Sequence, residues 1–327
     1  MEADRTDPGE PPALTIAPPG FFADPGLRAV LAALPGARVV GGAVRDALAG
    51  RSVTDVDLAT GMRPEEVIRR LSAAGLKAVP TGLDHGTVTA VAQHRGFEVT
   101  TLRRDVETDG RHAVVAYTED WRADAARRDF SINAMSMRPD GAVFDYFGGI
   151  ADLRAGVVRF VGDPATRIAE DHLRILRFFR FHARYGGGPA DVAALAAIRT
   201  GVAGIARLSA ERVWSELKRI LTAPDPRGAV ALMQESGVLA AVLPEGAAPE
   251  RLARLVASGA PADAVLRLAA LLAGDPTALA ERLRLAGVER DRLAALRAGG
   301  VPADDADDDA LRRALADTPG DILVGRA

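Results

Sequence analysis

The stretch GGAVRDALAGRSVTDVDLAT, residues 41–60, decides the fold. It follows the apolar run ARVV at 37–40, which reads as a strand entering a glycine turn. VRDALAG at 44–50 reads as a short helix that stops at Gly50. SVTDVDLAT at 52–60 alternates and is rich in β-branched residues, so a second strand is expected there. On that strand Asp55 and Asp57 share a face, with Val56 and Leu58 packed behind. Two bare carboxylates held together repel, and each raises the other's pKa. A divalent cation removes the conflict, and a pair of such cations suits in-line phosphoryl chemistry. Gly41 and Gly42, ahead of a helix, offer backbone N–H groups without a side-chain obstruction, which suits a polyphosphate. Arg45 lies one turn further in and reaches the same charge. Taken singly, a D-x-D on a strand or a Gly-Gly turn is common and structural; the order strand, GG, helix, DxD strand is what points to a site.

Working outward, residues 26–34 read as a helix closed by Pro35-Gly36, and Pro64 opens another that runs to about Ala74. GTVTAVA (86–92) and GFEVTTL (96–102) read as two strands joined by Gln93-His94-Arg95. Glu98 stands in mid-strand, so it faces either solvent or a site; it is a candidate third carboxylate or an outward edge residue. Residues 103–127 are charged and poor in structural signals. SINAMSM and AVFDYF supply a helix or strand and a closing strand. His85, in TGLDHGTVT, reads as a turn histidine.

From about Asp163 the pattern is helical. PATRIAEDHLRILRFFRFHARYG (164–186) reads as one long amphipathic helix, or a turn and a helix. A further helix is expected at 189–200, and another at 209–223, N-capped by Ser209. The expected fold class is α+β: a mixed-sheet head followed by an all-α neck and body. The expected divisions are a flexible acidic, Pro-rich arm at 1–22, a head at 23–149, a neck at 150–222 and a body with a shortened tail at 223–327.

The 327 residues are 48% hydrophobic, enough for two or three domains with buried cores. There is no Cys, which excludes disulfides, thiolate metal sites and a Cys nucleophile, and fits a reducing, cytoplasmic setting. The N-terminus has no basic-then-apolar leader pattern, and no apolar run is long enough for a membrane span. The formal net charge of -3 conceals a segregation by sign. Residues 1–149 carry 17 Lys and Arg against 21 Asp and Glu; residues 150–222 carry 12 against 7; residues 223–327 carry 12 against 16. A basic middle lies between acidic ends.

EDHLRILRFFRF (170–181) sets Asp171 and Arg174 at i,i+3, with Glu170 and Arg174 at i,i+4 and Arg177 and Arg180 at further steps of three. Such a series is often a surface ion-pair ladder, worth about 0.3–0.5 kcal/mol per pair. It has a second meaning in hydrogen-bond chemistry. An ionised Asp only accepts and an Arg only donates. Side by side they match an amino group next to a bare ring nitrogen, which cytosine and adenine both present. Uracil and guanine present the reverse.

Together, GGAVRDALAG…TDVDLAT, RRDFSINAM (127–135), FDYFGGIADLRAG (144–156) and EDHLRILRFFRF resemble the successive motifs of class II tRNA nucleotidyltransferases. That family includes bacterial poly(A) polymerases. LSAERVWSELKRIL (208–221) is similar to its neck-bracing helix, so the resemblance covers about residues 38–222. It implies a polymerase-β-like nucleotidyltransferase head, then neck, body and tail, and CCA addition to tRNA 3′ ends from CTP and ATP. It implies Mg²⁺, two ions, on Asp55 and Asp57, and triphosphate contacts from Gly42 and Arg45. Arg128 and Asp129 are implied as nucleotide contacts, Asp129 at a ribose hydroxyl, with Asn133 assisting. Asp171 and Arg174 become the protein template for the base, with Arg177 and Arg180 near base or phosphates. Residues 103–126 stand where the family has a mobile head loop. Ser131 replaces the Thr often found there and keeps the hydroxyl, and members often continue well past 327 residues. A poly(A) polymerase, a CC- or A-adding enzyme, or a non-catalytic RNA-binding protein on the same fold are the alternatives.

Overall fold

The structure is a computed structural model that describes residues 10–108, 113–298 and 320–322. The chain divides into two compact units, one of residues 1–170 and 187–191, the other of residues 171–186 and 192–327.

The first unit is built on a mixed sheet. Its strands are β1 (Leu14–Thr15), β2 (Arg38–Val40), β3 (Asp57–Thr60), β4 (Lys77–Gly82), β5 (Thr87–Ala92), β6 (Arg95–Thr101), β9 (Met135–Met137) and β10 (Ala142–Asp145). Their spatial order is β1-β10-β9-β2-β3-β6-β5-β4, and β7 (Arg103–Thr108) and β8 (Ala113–Tyr117) form a separate hairpin. All pairings in the large sheet are antiparallel except β3 with β6. The helices are α1 (Pro25–Ala33), α2 (Gly42–Leu48), α3 (Pro64–Ala73), α4 (Trp121–Ala126), α5 (Gly149–Ala155) and α6 (Pro164–Glu170).

Local chemistry explains these elements. Asp24 accepts from Leu27 N at 3.0 Å and Pro25 fixes the first turn of α1. Pro64 opens α3, and Glu66 there pairs with Arg69 and Arg70. Gln93 and His94 both take positive φ, which lets a two-residue turn close the β5–β6 hairpin. Pro80 is tolerated because β4 is the edge strand and its register shifts between Val79 and Gly82. The core gathers Leu27, Val30, Val39, Val44, Leu58, Val67, Leu71, Val88, Phe97 and Val99 on one face of the sheet.

Three expectations are corrected here. The long alternating strand at 52–60 pairs only from Asp57 onward, so Asp55 stands in the segment ahead of it. The arm is ordered where it is described: Leu14–Thr15 pairs with β10, and Tyr146 Oη donates to Glu10 at 2.8 Å. Backbone pairing to a distant strand leaves no mark in a Pro-rich local sequence. Residues 1–9 of the arm lie outside the described residues, as does the acidic run at 304–310. The signal-poor stretch at 103–127 folds as β7, β8 and α4, with residues 109–112 outside the described residues.

The second unit is helical throughout: α7 (Leu173–Tyr185), α8 (Val192–Gly201), α9 (Ala210–Leu221), α10 (Arg227–Glu235), α11 (Val238–Val242), α12 (Pro249–Ala257), α13 (Ala264–Leu271), α14 (Pro276–Arg282) and α15 (Gly287–Arg297). Helices α7 and α9 pack together through Ile175, Leu176, Phe178, Phe179, Val213, Leu217 and Ile220, all buried. Ser209 caps α9, accepting from Arg212 N at 3.4 Å. No helix among the described residues is long and apolar enough to cross a membrane. The 164–186 segment breaks at Asp171-His172: of the two readings, one helix gives way to an interrupted one, α6 and then α7.

Candidate active site

Sheet register brings four distant segments to one end of the first unit. Val40, the last residue of β2, pairs with Asp57, the first of β3, and with Ser136 of β9. The glycine turn therefore begins beside Asp57, and the RRDFSINAM segment enters β9 at the same end. In the parallel register Leu58 opposes Val99, which sets Asp57 level with Glu98. Alternation does the rest. Asp55, Asp57 and Glu98 reach the surface, Asp57 with its carboxyl partly enclosed by neighbouring groups, while Val56, Leu58, Phe97 and Val99 point into the core.

The electrostatics show these carboxylates acting on one another. The Asp57 carboxyl is held above its ordinary range, first by partial burial, then by the negative charge of Glu98. Asp55 adds in the same sense, and Arg128 opposes. Thr54 Oγ1 donates to Asp55 at 3.2 Å. Among the described residues no three acidic or histidine side chains converge closely enough to hold an ion unaided. The donor set still fits Mg²⁺, a hard cation that typically takes one or two carboxylates and completes its shell with water and phosphate oxygens.

Around them lies a basic network. Gly41 takes φ 66°, a conformation that glycine adopts without strain, and its N–H donates to Met135 O at 3.2 Å. A Cβ there would stand 3.0 Å from Arg128 Nη1. Arg45 is buried; its Nη1 donates to Asn133 Oδ1 at 2.5 Å and its Nε to Asp46 at 3.1 Å. Asn133 Nδ2 donates in turn to Asp129 Oδ1 at 3.0 Å, an oxygen that also accepts from Phe130 N at 2.9 Å. Arg128 reaches Asn133 O at 3.4 Å and Asp124 Oδ2 at 3.3 Å. Gly41, Gly42, Arg45, Arg128, Asp129 and Asn133 thus belong to one connected patch beside Asp57. Ser131 does not: its hydroxyl is fully buried and donates to Asp152 at 2.6 Å, tying the motif to α5. In FDYFGG, the Asp145 carboxylate accepts from the N–H groups of Phe147, Gly149 and Ile150, so that motif builds a turn.

In the second unit, Asp171 occupies the break before α7. Its Oδ1 accepts from Leu173 N at 3.0 Å and its Oδ2 from Arg212 Nη2 at 2.7 Å. His172 packs over Gly204, where a Cβ would fall 1.7 Å from the ring, so this turn requires glycine opposite. Arg174 follows in the first turn of α7, its N–H on Asp171 O at 3.0 Å, with Arg177 and Arg180 half-buried beyond it. Glu170 ends α6 and pairs with Arg167 at 3.0 Å. Arg180 Nη1 donates to Glu216 Oε1 at 3.2 Å. Asp124, Arg212 and Glu216 escaped the sequence reading. The spacing of Arg212 and Glu216, one turn apart on α9, was the available signal.

Residues 37–159 match the Poly A polymerase head domain, and residues 192–248 match the "Probable RNA and SrmB- binding site of polymerase A". Together these regions make up more than half of the chain, which belongs to the poly(A) polymerase and CCA-adding family of nucleotidyltransferases. It is 47% identical over 204 residues to "CCA tRNA nucleotidyltransferase 1, mitochondrial" of Danio rerio, covering 62% of this chain and 47% of that protein. It is 37% identical over 208 residues to the "CCA-adding enzyme" of Anoxybacillus flavithermus, covering 63% and 51%. The Bacillus stearothermophilus CCA-adding enzyme, solved in complex with CTP, superposes with a TM-score of 0.73 at 29% identity, over 93% of this chain and 77% of that one. The chain spans about half the length of the curated relatives it matches.

Proposed function

We propose that the protein adds CCA to tRNA 3′ ends from CTP and ATP by metal-dependent nucleotidyl transfer, without a nucleic-acid template. The carrying observation is the strand register that sets Asp57 level with Glu98 beside the Gly41 turn, with the charges of Glu98, Asp55 and Arg128 all acting on Asp57, within a Poly A polymerase head. The tRNA 3′-hydroxyl attacks the α-phosphorus of the incoming nucleotide, and pyrophosphate leaves. Two Mg²⁺ ions held by Asp55 and Asp57 would supply charge neutralisation at the attacking and leaving oxygens. Glu98, level with Asp57, is the third carboxylate at the attacking hydroxyl. The Gly41-Gly42 turn admits the triphosphate close to the backbone, and Arg45 and Arg128 balance its charge. Asp129, oriented by Asn133, meets the ribose hydroxyl.

Asp171 and Arg174 read the base. An ionised carboxylate has about four acceptor positions. Leu173 N and Arg212 occupy two, and the others remain for an exocyclic amino group. Arg174 donates to the neighbouring ring nitrogen. Residues 150–222, the net-basic neck, bind the acceptor end, so affinity falls as salt rises. Curated relatives carry CCA-adding names, which favours this reading over a poly(A) polymerase. The test incubates the protein with tRNA lacking its terminal CCA and with each NTP alone and in pairs. C, C and A in order supports the proposal. A long A-tract, C alone or A alone assigns a sister activity, and no Mg²⁺-dependent turnover assigns an RNA-binding role.

A further inference from the structure

We propose that Asp124 is a positioning residue that joins the root of the β7–β8 hairpin to Arg128, so that the placement of the hairpin is transmitted to the nucleotide-facing guanidinium. This rests on the reading of Arg128 as a nucleotide contact. Asp124 lies on α4 and is 7% exposed. Its two oxygens serve different elements. Oδ1 accepts from Arg103 N, the first residue of β7, at 3.1 Å. Oδ2 accepts from Arg128 Nη2 at 3.3 Å. Arg127 Nε stands 3.5 Å from Oδ1.

Both ends of this link lead somewhere. At the hairpin root, Thr118 N donates to Leu102 O at 2.9 Å, and Leu102 N donates to Thr60 O at 2.8 Å, at the end of β3. The root is therefore held between the strand that begins with Asp57 and the carboxylate of Asp124. At the other end, Arg128 Nη1 lies against the Gly41 turn, and its charge acts on Asp57. A planar carboxylate gripping a backbone N–H with one oxygen and a guanidinium with the other couples their positions. A shift of the root turns the acceptor that Arg128 rests on. The sequence reading treated 103–126 as a loop and 127–135 as a motif; Asp124 makes them one mechanical unit.

Asp124→Asn keeps the size and an acceptor for Arg103 N but removes the charge facing Arg128. The expected result is a rise of about tenfold in KM for CTP and ATP, the loss of one charge-assisted bond, with kcat changed much less. In an Arg128→Ala background the same substitution should add nothing, because the effect travels through Arg128. Arg103→Pro deletes the backbone donor at the root, together with the Arg103 side chain, while leaving the Asp124 charge facing Arg128, and should raise KM in the same direction but less. A folded Asp124→Asn protein with wild-type KM, or an undiminished effect in the Arg128→Ala background, overturns the proposal. So does loss of fold in Asp124→Asn combined with unchanged kinetics in Arg103→Pro. If Arg128→Ala itself leaves KM unchanged, the nucleotide reading of Arg128 fails and the coupling falls with it. If Arg128→Ala raises KM and Asp124→Asn does not, the coupling alone fails.

Discussion

In the head, Asp57 stands beside Glu98 and Asp55, and its carboxyl is driven up by burial and by their charge. In the helical unit, Asp171 rests on Arg212 at 2.7 Å, and Arg180 rests on Glu216 at 3.2 Å. The two regions use charge in opposite ways. The first holds like charges together. The second has already met its charges from within and contributes fixed hydrogen-bond geometry. A site that performs phosphoryl chemistry benefits from stored repulsion, since the ligand relieves it. A site that reads a base benefits from side chains whose rotamers are set before the base arrives.

The largest expected effect breaks the first half of that contrast. Asp57→Asn should lower nucleotide addition by about a hundredfold or more, as for loss of a principal transition-state stabiliser. The same variant should be more stable than the wild type when Mg²⁺ is absent. The sign follows from the direction of the shift. A carboxyl raised in the folded state binds its proton more tightly there than when unfolded, so stability is lost as pH rises from the ordinary aspartate range through the raised value. At neutral pH the wild type carries the whole penalty and the Asn variant none. Below about pH 3.9 the two should converge. Thermal unfolding in chelator across pH checks this, and an Asn variant less stable than wild type at pH 7 would show that Asp57 is not under repulsion.

A smaller effect sharpens the second half. Arg212→Met removes the guanidinium that fixes Asp171 while sparing the N–H bond from Leu173. Misincorporation of UTP and GTP should rise relative to CTP and ATP by about tenfold, because the acceptor loses its fixed direction. Competition assays with mixed nucleotides measure it. Glu216→Gln should act on stability instead. Glu216 is 3% exposed and its Oε1 serves both Arg180 and Arg219, so removing the charge should cost about 1–3 kcal/mol in chemical denaturation.

The same contrast separates what was legible in the sequence. The head site was readable because its parts are local and their order is informative: a strand, Gly41-Gly42, a helix and then Asp55-Val56-Asp57 carry their own geometry. Glu98 was readable as a charge inside an apolar strand, but only the β3–β6 register places it level with Asp57. A turn within 164–186 was one of two readings, but the place of the break, at Asp171-His172, was not readable. Helical periodicity runs through it, and the cause is tertiary: His172 over Gly204 and Asp171 against Arg212, partners 32 and 41 residues away. The β7–β8 hairpin was lost for a related reason. Its strands pair chiefly with each other, carry charges, and lack the alternation that a buried face imprints.

The smallest expected effect comes from a buried histidine in the helical unit. His182 lies on α7, stacked near Phe178 with ring centroids 6.1 Å apart, and its Nδ1 is buried without a hydrogen-bond partner. Burial holds the ring below its ordinary pKa, so the folded protein keeps it neutral where the unfolded chain would protonate it. For a depressed His the contribution to stability is present above about pH 6.5 and is lost as pH falls toward the folded value. Between pH 7.5 and 5 the wild type should therefore lose slightly more stability than His182→Gln, by less than about 1 kcal/mol. Denaturant midpoints of the two proteins at both pH values decide it. Equal losses would place the acid sensitivity elsewhere; a larger loss in the wild type assigns part of it to His182.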